Sequence, residues 1–574
     1  KDDFKTMSNA DFLKLDNKAL TRYLRSNRFD KNETAKSVKA AVKKGTIKPI
    51  HLATYLEDAN SKLFDTPVIG AEVYKSTNGG KTWEKTHKKY LDGVYSSYGY
   101  YFGIIGVNTA HENKIYIGGV PLLKSDDGGA TFKSMGKSNV HSDHQALWVN
   151  PALKGHVING NDGGINITYD DGKNWTKNNP QAVGQFYSVN IDYKKPYNVY
   201  GGLQDNGVWY GPSTYTASKR WEGRGQYPYK AIGGGDGMQV QIDNRDNETV
   251  YSGSQFGYYY RINLKTKKRI SIHPKHKLGS SPYRYNWQTP ILLSPHNQDI
   301  LYMGANKLLR SMDQGVAFKV ISGDLTTGGK KGNVPYGTLT TISESPFQFG
   351  LIYTGSDDGL IHLTKDGGNT WKNITNNLPK NLWVSRVIAS KYEKNRVYAT
   401  LNGMRFDDFA TYVYMSNDFG QTWKNIMFGS SPANVIREDE VNKQTLYVGT
   451  DNGLYVTFDN GNSWNPFSKG LPNVAVHDIV IQPEAKELVV GTHGRSIYKA
   501  DISVLENYNN ISKKAVHLFK VDGMRYSSRW GASWSQWSQA FLPKTSISLY
   551  TNLTKKITLS VYAGDVLVNT ISLD

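Results

Sequence analysis

Thr364-Lys365-Asp366-Gly367-Gly368-Asn369-Thr370-Trp371 decides the fold. Its pattern is Ser/Thr-x-Asp-x-Gly-x-x-Trp, and the chain repeats it. Residues 168–175, 416–423 and 457–464 carry the same pattern; 76–83 has Asn78 in place of Asp; 125–132 and 311–318 end in Phe132 and Phe318. Each copy follows a short apolar run such as Gly359-Leu360-Ile361-His362-Leu363. These are the residues of a stiffened hairpin turn. Asp and Ser/Thr side chains bond turn backbone groups, Gly supplies the positive φ, and the aromatic ring packs beneath. They read as structural staples, not as catalytic groups.

The spacing of the turns extends this to the whole chain. Copies start at 76, 125 and 168, and again at 311, 364, 416 and 457. A period of about 40–50 residues, with four short strands in each, is the signature of a β-propeller. The gap between 168 and 311 holds two further units without the turn, at 186–207 and 237–257. A tenth, incomplete unit spans 476–495.

The chain has 574 residues, a net charge of +19 and no cysteine. Disulfides, thiolate metal sites and cysteine nucleophiles are excluded. No run of about 20 apolar residues occurs, so no transmembrane helix is expected. No signal peptide is present and the first residue is Lys1, which fits a processed or truncated piece of a longer protein. The lysines are scattered over turns, with short clusters such as 265–269 and no recognition motif. A solvated basic surface is expected, not a nucleic-acid site, and acidic glycans or an anionic cell surface remain as attractors.

Residues 1–66 differ from the rest. Helical spacing runs through 10–24, 34–44 and 50–64, with Asn9 and Asp30 as start signals and Gly45 as a stop. The segment is expected to pack on a propeller as an insertion or lead-in. Residues 67–180 read as the last blades of a first propeller and 181–505 as a second, seven-bladed one; a single ten-bladed ring is the alternative. After a polar linker, 515–574 read as the start of an immunoglobulin-like β-sandwich, with alternation at 547–550, 557–562 and 566–568. Trp530, Trp534 and Trp537 are assigned a structural role ahead of a sugar platform.

Blade topology selects a working face. The innermost strand starts on the face that also carries the turn between the second and third strands, whereas the Asp-bearing turns lie on the opposite face. Polar groups collect on the first face: His141, Asp143, His144, Asp162, Gln204, Asp205, Asp236, Asp357, Asp358, His493 and Arg495. The set is acidic in a basic protein and suits sugar hydroxyls, a basic peptide or Ca²⁺. No metal site or other cofactor is assigned. His141-Ser142-Asp143-His144 is the densest cluster, but alternation turns His144 away from His141 and Asp143. Asp236 lies in Gly233-Gly234-Gly235-Asp236-Gly237, where a ligand can approach the backbone, and is the first choice for a single acidic functional residue. No lysine or helix follows these glycines, so they are not a phosphate loop.

The repeated turns resemble those of BNR, or Asp-box, propellers. The stretches 141–148, 160–164, 201–207, 234–237, 286–287, 407–408 and 491–495 resemble a bacterial family of glycosyl-hydrolase-like or sortilin-like BNR-repeat proteins. The resemblance implies export to the bacterial surface or medium, often through type IX secretion, and partners among outer-membrane or secretion components. Sialidases share the turns but need an Arg-Ile-Pro segment, which is absent here. Sortilin-type receptors carry cysteine-rich modules, also absent. Xyloglucanase-type endoglucanases place two Asp residues across a cleft between tandem propellers. Asp143 or Asp162 with Asp236 is the candidate catalytic pair for that chemistry, at the separation of about 6.5–9.5 Å that an inverting mechanism requires. The expected function is a surface or secreted propeller that binds protein or glycan through the polar face without chemistry of its own. The alternative is a glycoside hydrolase acting on a polysaccharide in the cleft.

Overall fold

The computed structural model describes residues 3–57, 68–96, 101–178, 182–215, 229–329, 337–521 and 523–573. The protein is all-β; among the described residues its α-helices lie near the two ends, with a single short 3-10 turn at Met404–Phe406 between strands. Antiparallel sheets follow one another along the chain. A two-stranded sheet at 74–85 precedes four-stranded sheets at 104–134, 144–178, 186–233, 240–271, 291–320, 339–373, 383–427 and 433–466 and a three-stranded sheet at 476–501. Within each, strands pair in chain order, which is the meander of a propeller blade.

The Asp-bearing turns join the third and fourth strands of their sheets, as expected. In the type copy, Thr364 Oγ1 donates to Asp366 Oδ1 at 2.8 Å and accepts from the Gly368 N–H at 2.9 Å. Asp366 also accepts from the amide and hydroxyl of Thr370, and these bonds hold its carboxyl down to about 2. The tryptophan reaches further than its own turn. The indoles of Trp175, Trp371, Trp423 and Trp464 donate to the carbonyls of Met135, Ile321, Ile374 and Ile426, each on the preceding sheet. The turn therefore fastens one sheet to the one before it.

A second repeat lies in the second strands and went unread in the sequence. Tyr116, Tyr200, Tyr251, Tyr302, Tyr353, Tyr398 and Tyr447 occupy equivalent positions and are fully buried. Four of their hydroxyls donate to buried or half-buried carboxylates: Tyr116 to Asp171, Tyr200 to Asp192, Tyr302 to Glu344 and Tyr447 to Asp439. Each ring supplies core volume, and the carboxylate satisfies a hydroxyl that would otherwise be costly to bury.

From residue 186 onward, each innermost strand lies against the next, and the last of them, Val476–Gln482, lies against Phe186–Ile191. Gly491 sits where a Cβ would stand 2.7 Å from Val189, so only glycine lets the last sheet approach the first. The Gly494 and Ser496 amides donate to the Gly184 carbonyl, and Tyr197 donates to Glu487. A cavity of about 480 Å³ is lined by side chains from all seven innermost strands of this series. At its waist Arg386 and Arg437 each reach Asp478 Oδ1 at 3.0 Å, and Asp478 Oδ2 accepts from the Val189 N–H.

The N-terminal helices depart from expectation. The helical run predicted at 10–24 is two helices, Asn9–Lys14 and Asn17–Ser26, because the Asp16 side chain accepts from the Ala19 N–H and caps a new start. Ser8, Asp16 and Thr34 are the caps, in place of Asn9 and Asp30; Gly45 does stop its helix, at φ 77°. The helices Ala35–Lys44 and Ile50–Thr54 follow, and Leu278 from the sheet region packs into their core. Residues 58–64 of the predicted third helix lie outside the described residues. Beyond 515 the described residues form two antiparallel strand pairs, Val516–Leu518 with Leu549–Thr551 and Ile557–Ala563 with Val566–Leu573. Trp534 and Trp537 are almost fully exposed.

Removing the carboxylate from a buried ion pair strands the cations, at a cost of about 3–5 kcal/mol. Asp478→Ala should therefore lower the stability of the 186–501 series by about that amount, read as a fall in the urea midpoint of the full chain. A midpoint within error of the unmodified protein would show that the seam holds without Asp478.

Candidate functional site

Four carboxylates from two parts of the chain converge. Asp143 precedes the strand His144–Val149, and Asp162 lies in the turn between Val157–Asn161 and Gly164–Thr168. Asp205 lies in the turn between Asn198–Leu203 and Gly207–Pro212, and Asp236 in the glycine-rich link from Lys230–Gly233 to Val240–Ile242. The first two belong to the sheet before residue 180 and the last two to the series after it. Asn206 ties the two parts together: its amide donates to the carbonyls of Asp162 at 2.9 Å and Gln204 at 3.0 Å.

Carboxylate oxygens of Asp143, Asp162 and Asp205 lie within 4.8 Å of one another. Like charges so close cannot all stay ionised. Burial, the hydrogen bond with Asp205 and the charges of Asp205, Asp143 and Asp236 push the Asp162 carboxyl up to about 7. Burial raises Asp236 to about 6, although the Asp205 N–H that it accepts at 2.9 Å works against the shift. Asp143 is raised as well, first by burial and then by Asp205. Asp143 and Asp205 both adopt positive φ, at 61° and 55°. Non-glycine residues persist there only where the surroundings hold them. The three oxygens would offer a hard cation part of its shell.

The glycines beside Asp236 have distinct uses. The Gly207 carbonyl stands 2.0 Å from where a Cβ on Gly237 would lie, so this glycine permits backbone contact. A Cβ on Gly234 would meet open space. Asp236 itself is 5% exposed, so it supports the Asp205 turn from below as well as adding charge.

The other expected residues divide. His141 lies beside the cluster and its positive character slightly opposes the rise of Asp143. His144 is buried against Asn159 at 2.7 Å and is a core histidine. Asp357 is buried and accepts from the amides of Gly337 and Thr338 and from the Thr338 hydroxyl. Asp358 is buried and accepts from the amide and hydroxyl of Thr327 and from Ser356. Both aspartates therefore shape turns and have little left to offer a ligand. Gln204 is half-buried, with its backbone N–H on Gln185. His493 stacks on His477 at 4.4 Å and faces Tyr187 at 5.5 Å. Arg495 is exposed and forms no ion pair among the described residues.

Tyr187 was missed. It lines a second cavity of about 210 Å³ at the starts of the innermost strands, and Asp236 and Asp205 both add to the burial that raises its hydroxyl. The carboxylate cluster thus borders this mouth. The signal was available: Tyr187 is a large polar-tipped ring at the start of an innermost strand.

No family model matches the chain. An oligoxyloglucan-reducing-end-specific xyloglucanase of Emericella nidulans is 20% identical over 210 residues, which is 35% of this chain and 25% of that protein. The match therefore spans about a quarter of the relative's length. Among solved structures, the designed Ika8 protein aligns with a TM-score of 0.35 at 11% identity, over 63% of this chain and 96% of that one. A chain of the mitotic checkpoint complex aligns at 0.38 and 11%, over 55% and 87%. Likenesses this remote bear on neither fold nor function.

The folded Asp162 holds its proton to about pH 7, whereas an unfolded aspartate releases it near pH 4. The unfolded chain then binds fewer protons between these limits, so this group lowers stability as pH rises from about 4 to 7. Asp162→Asn should raise the thermal midpoint at pH 8 and leave it nearly unchanged at pH 4, as read by calorimetry. An equal shift at both pH values would remove this account of the cluster.

Proposed function

We propose that the protein is an exported carbohydrate-active propeller whose junction carboxylates cleave a glycosidic bond. In this reading the seven sheets from 186 to 501 form a closed seven-bladed ring, and the sheets from 74 to 178 are the end of a preceding propeller. The contact of the last innermost strand with the first, and the cavity lined by all seven, support the ring. The observation that carries the function is the meeting of Asp143 and Asp162 with Asp205 and Asp236 across the junction, with one carboxyl protonated near neutrality. The similarity to a xyloglucanase over part of the chain agrees with it. Export to the bacterial surface or medium, and dealings with secretion components there, rest on the resemblance of the repeats.

The roles follow from proton affinity. Asp162 is the acid that protonates the leaving oxygen. Asp205 is the neighbouring carboxylate that attacks the anomeric carbon, and the hydrogen bond between the two opens as the sugar enters. Deprotonated Asp162 then takes a proton from the water that releases the product. An inverting pair needs about 6.5–9.5 Å for an interposed water and a retaining pair about 5–5.5 Å. Asp162 and Asp205 oxygens within 4.8 Å of each other leave no room for the interposed water of inversion, which favours retention in this reading. Asp236 positions the Asp205 turn.

A second reading has its own support. Three carboxylates packed this tightly also suit a hard cation or a polyhydroxylated ligand held without chemistry, and the face would then bind glycan or protein.

Digestion of a panel of plant, algal and bacterial polysaccharides, with products identified by mass spectrometry, separates the two. The hydrolase reading expects oligosaccharides from at least one polymer and a loss of about 100-fold or more in kcat for Asp162→Asn. Activity should fall above about pH 7 as Asp162 loses its proton. Glycan capture without products from any polymer would leave only the binding reading.

A further inference from the structure

Two guanidiniums and one carboxylate meet between the innermost strands. Arg437 spends its donors on Asp478 Oδ1 and on the carbonyls of Ile479 and Ile436. Arg386 spends one, from Nη2, on the same Asp478 oxygen. Its Nε is buried with no partner among the described residues. The Arg386 side chain is 15% exposed, so water does little for the donors left over. A buried donor without an acceptor carries its full desolvation cost.

The cavity of about 210 Å³ opens against this group. Arg386, Gln239, Gln288, Trp383, Tyr187 and His477 line it. Gln239 accepts the Ile291 N–H through Oε1, which leaves its amide nitrogen as a donor. The Gln288 side chain holds no hydrogen bond among the described residues, only its backbone N–H being engaged. His477 is neutral at ordinary pH, because burial, His493 and Arg386 push it down to about 3. The acid on this wall, Asp451, already accepts the Asn434 amide at 2.8 Å. On the far side of Arg386, Glu440 pairs with Lys391, and Glu438 accepts from Ser390 and the Lys391 N–H. The carboxylate cluster borders the mouth on the Tyr187 side, where Asp236 is held by the Asp205 N–H; at Arg386 the wall is donor-rich, and the acids beside it have partners. Arg405 lies over the Trp383 ring at 4.2 Å, adding a second guanidinium to the rim.

We propose that this mouth cavity binds an oxyanion group, a sulfate or a carboxylate, on the open edge of Arg386, with the amides of Gln239 and Gln288 completing its shell. Charge-assisted bonds to guanidinium are among the strongest available in a protein, and the planar fork suits two oxygens at once. The same chemistry is presented by a free inorganic ion and by an acidic sugar. The inference does not rest on hydrolysis at the carboxylate cluster and stands or falls separately.

The test is thermal unfolding of the full chain in sodium sulfate and in sodium glucuronate, each against sodium chloride at equal ionic strength. One or both should raise the midpoint saturably over chloride. Sulfate alone or both together would indicate a free oxyanion, and glucuronate alone a sugar acid. Arg386→Lys keeps a cation on Asp478 but loses the fork, and Gln288→Leu removes a donor that holds nothing else in the fold. Each should weaken the apparent affinity by about tenfold or more. No midpoint rise over chloride with either salt, or the same saturation in both variants, would overturn the proposal.

Discussion

Asp478 is the point on which the packing of the innermost strands depends. One carboxylate takes guanidiniums from two neighbouring strands and the Val189 amide from the far end of the series. The sheet that carries it has three strands among the described residues, and Gln185 bridges to His493 where the last sheet meets the first. The seam is made of side chains, backbone bonds at Gly184 and a glycine that permits close approach. A buried ion group of this kind is a poor source of net stability, because desolvation offsets the attraction. Its value is geometric: three strands must come to one distance from one another for its bonds to form together. Burial and the Arg386 charge both draw Arg437 down to about 10, which measures how crowded the group is.

The parts of the fold that were legible share one property: the information lies within a few consecutive residues. The Ser/Thr-x-Asp-x-Gly turn closes its own hydrogen bonds, so its meaning is local, and its period carries the blade spacing. The buried tyrosines were equally periodic, but a lone Tyr in an apolar strand looks like any β-former. The Asp478 group was illegible for a different reason. Arg386, Arg437 and Asp478 stand singly in three successive repeats, and only the packing of neighbouring innermost strands brings them together. A signal exists in retrospect: each interrupts an apolar innermost strand at nearly the same place.

The candidate site was half legible. Topology put Asp143, Asp162, Asp205 and Asp236 on one face, and they do converge. The same reasoning also placed His144, Asp357 and Asp358 there, and these are consumed by the fold. Turn aspartates look alike in sequence whether their oxygens face backbone amides or solvent. What separates them is the supply of nearby N–H and O–H donors: among the described residues Asp357 and Asp358 have three each, whereas Asp162 has another carboxylate. Convergence of like charge, unrelieved by donors, is what a fold avoids unless something else uses it.

The indole bonds that fasten each sheet to its predecessor are not distributed evenly. The two sheets at 186–271 carry none of the Asp-bearing turns, so no such rivet closes their outer edges. They are joined near the axis by amide side chains, such as Asn190 to the Val240 carbonyl and Gln241 to that of Ile291. In an array whose units hold mainly to their neighbours, the periphery of such a stretch breathes first. Asp205 and Asp236 belong to it. The acidic junction thus stands on the stretch of the series that has no indole bond to a preceding sheet among the described residues.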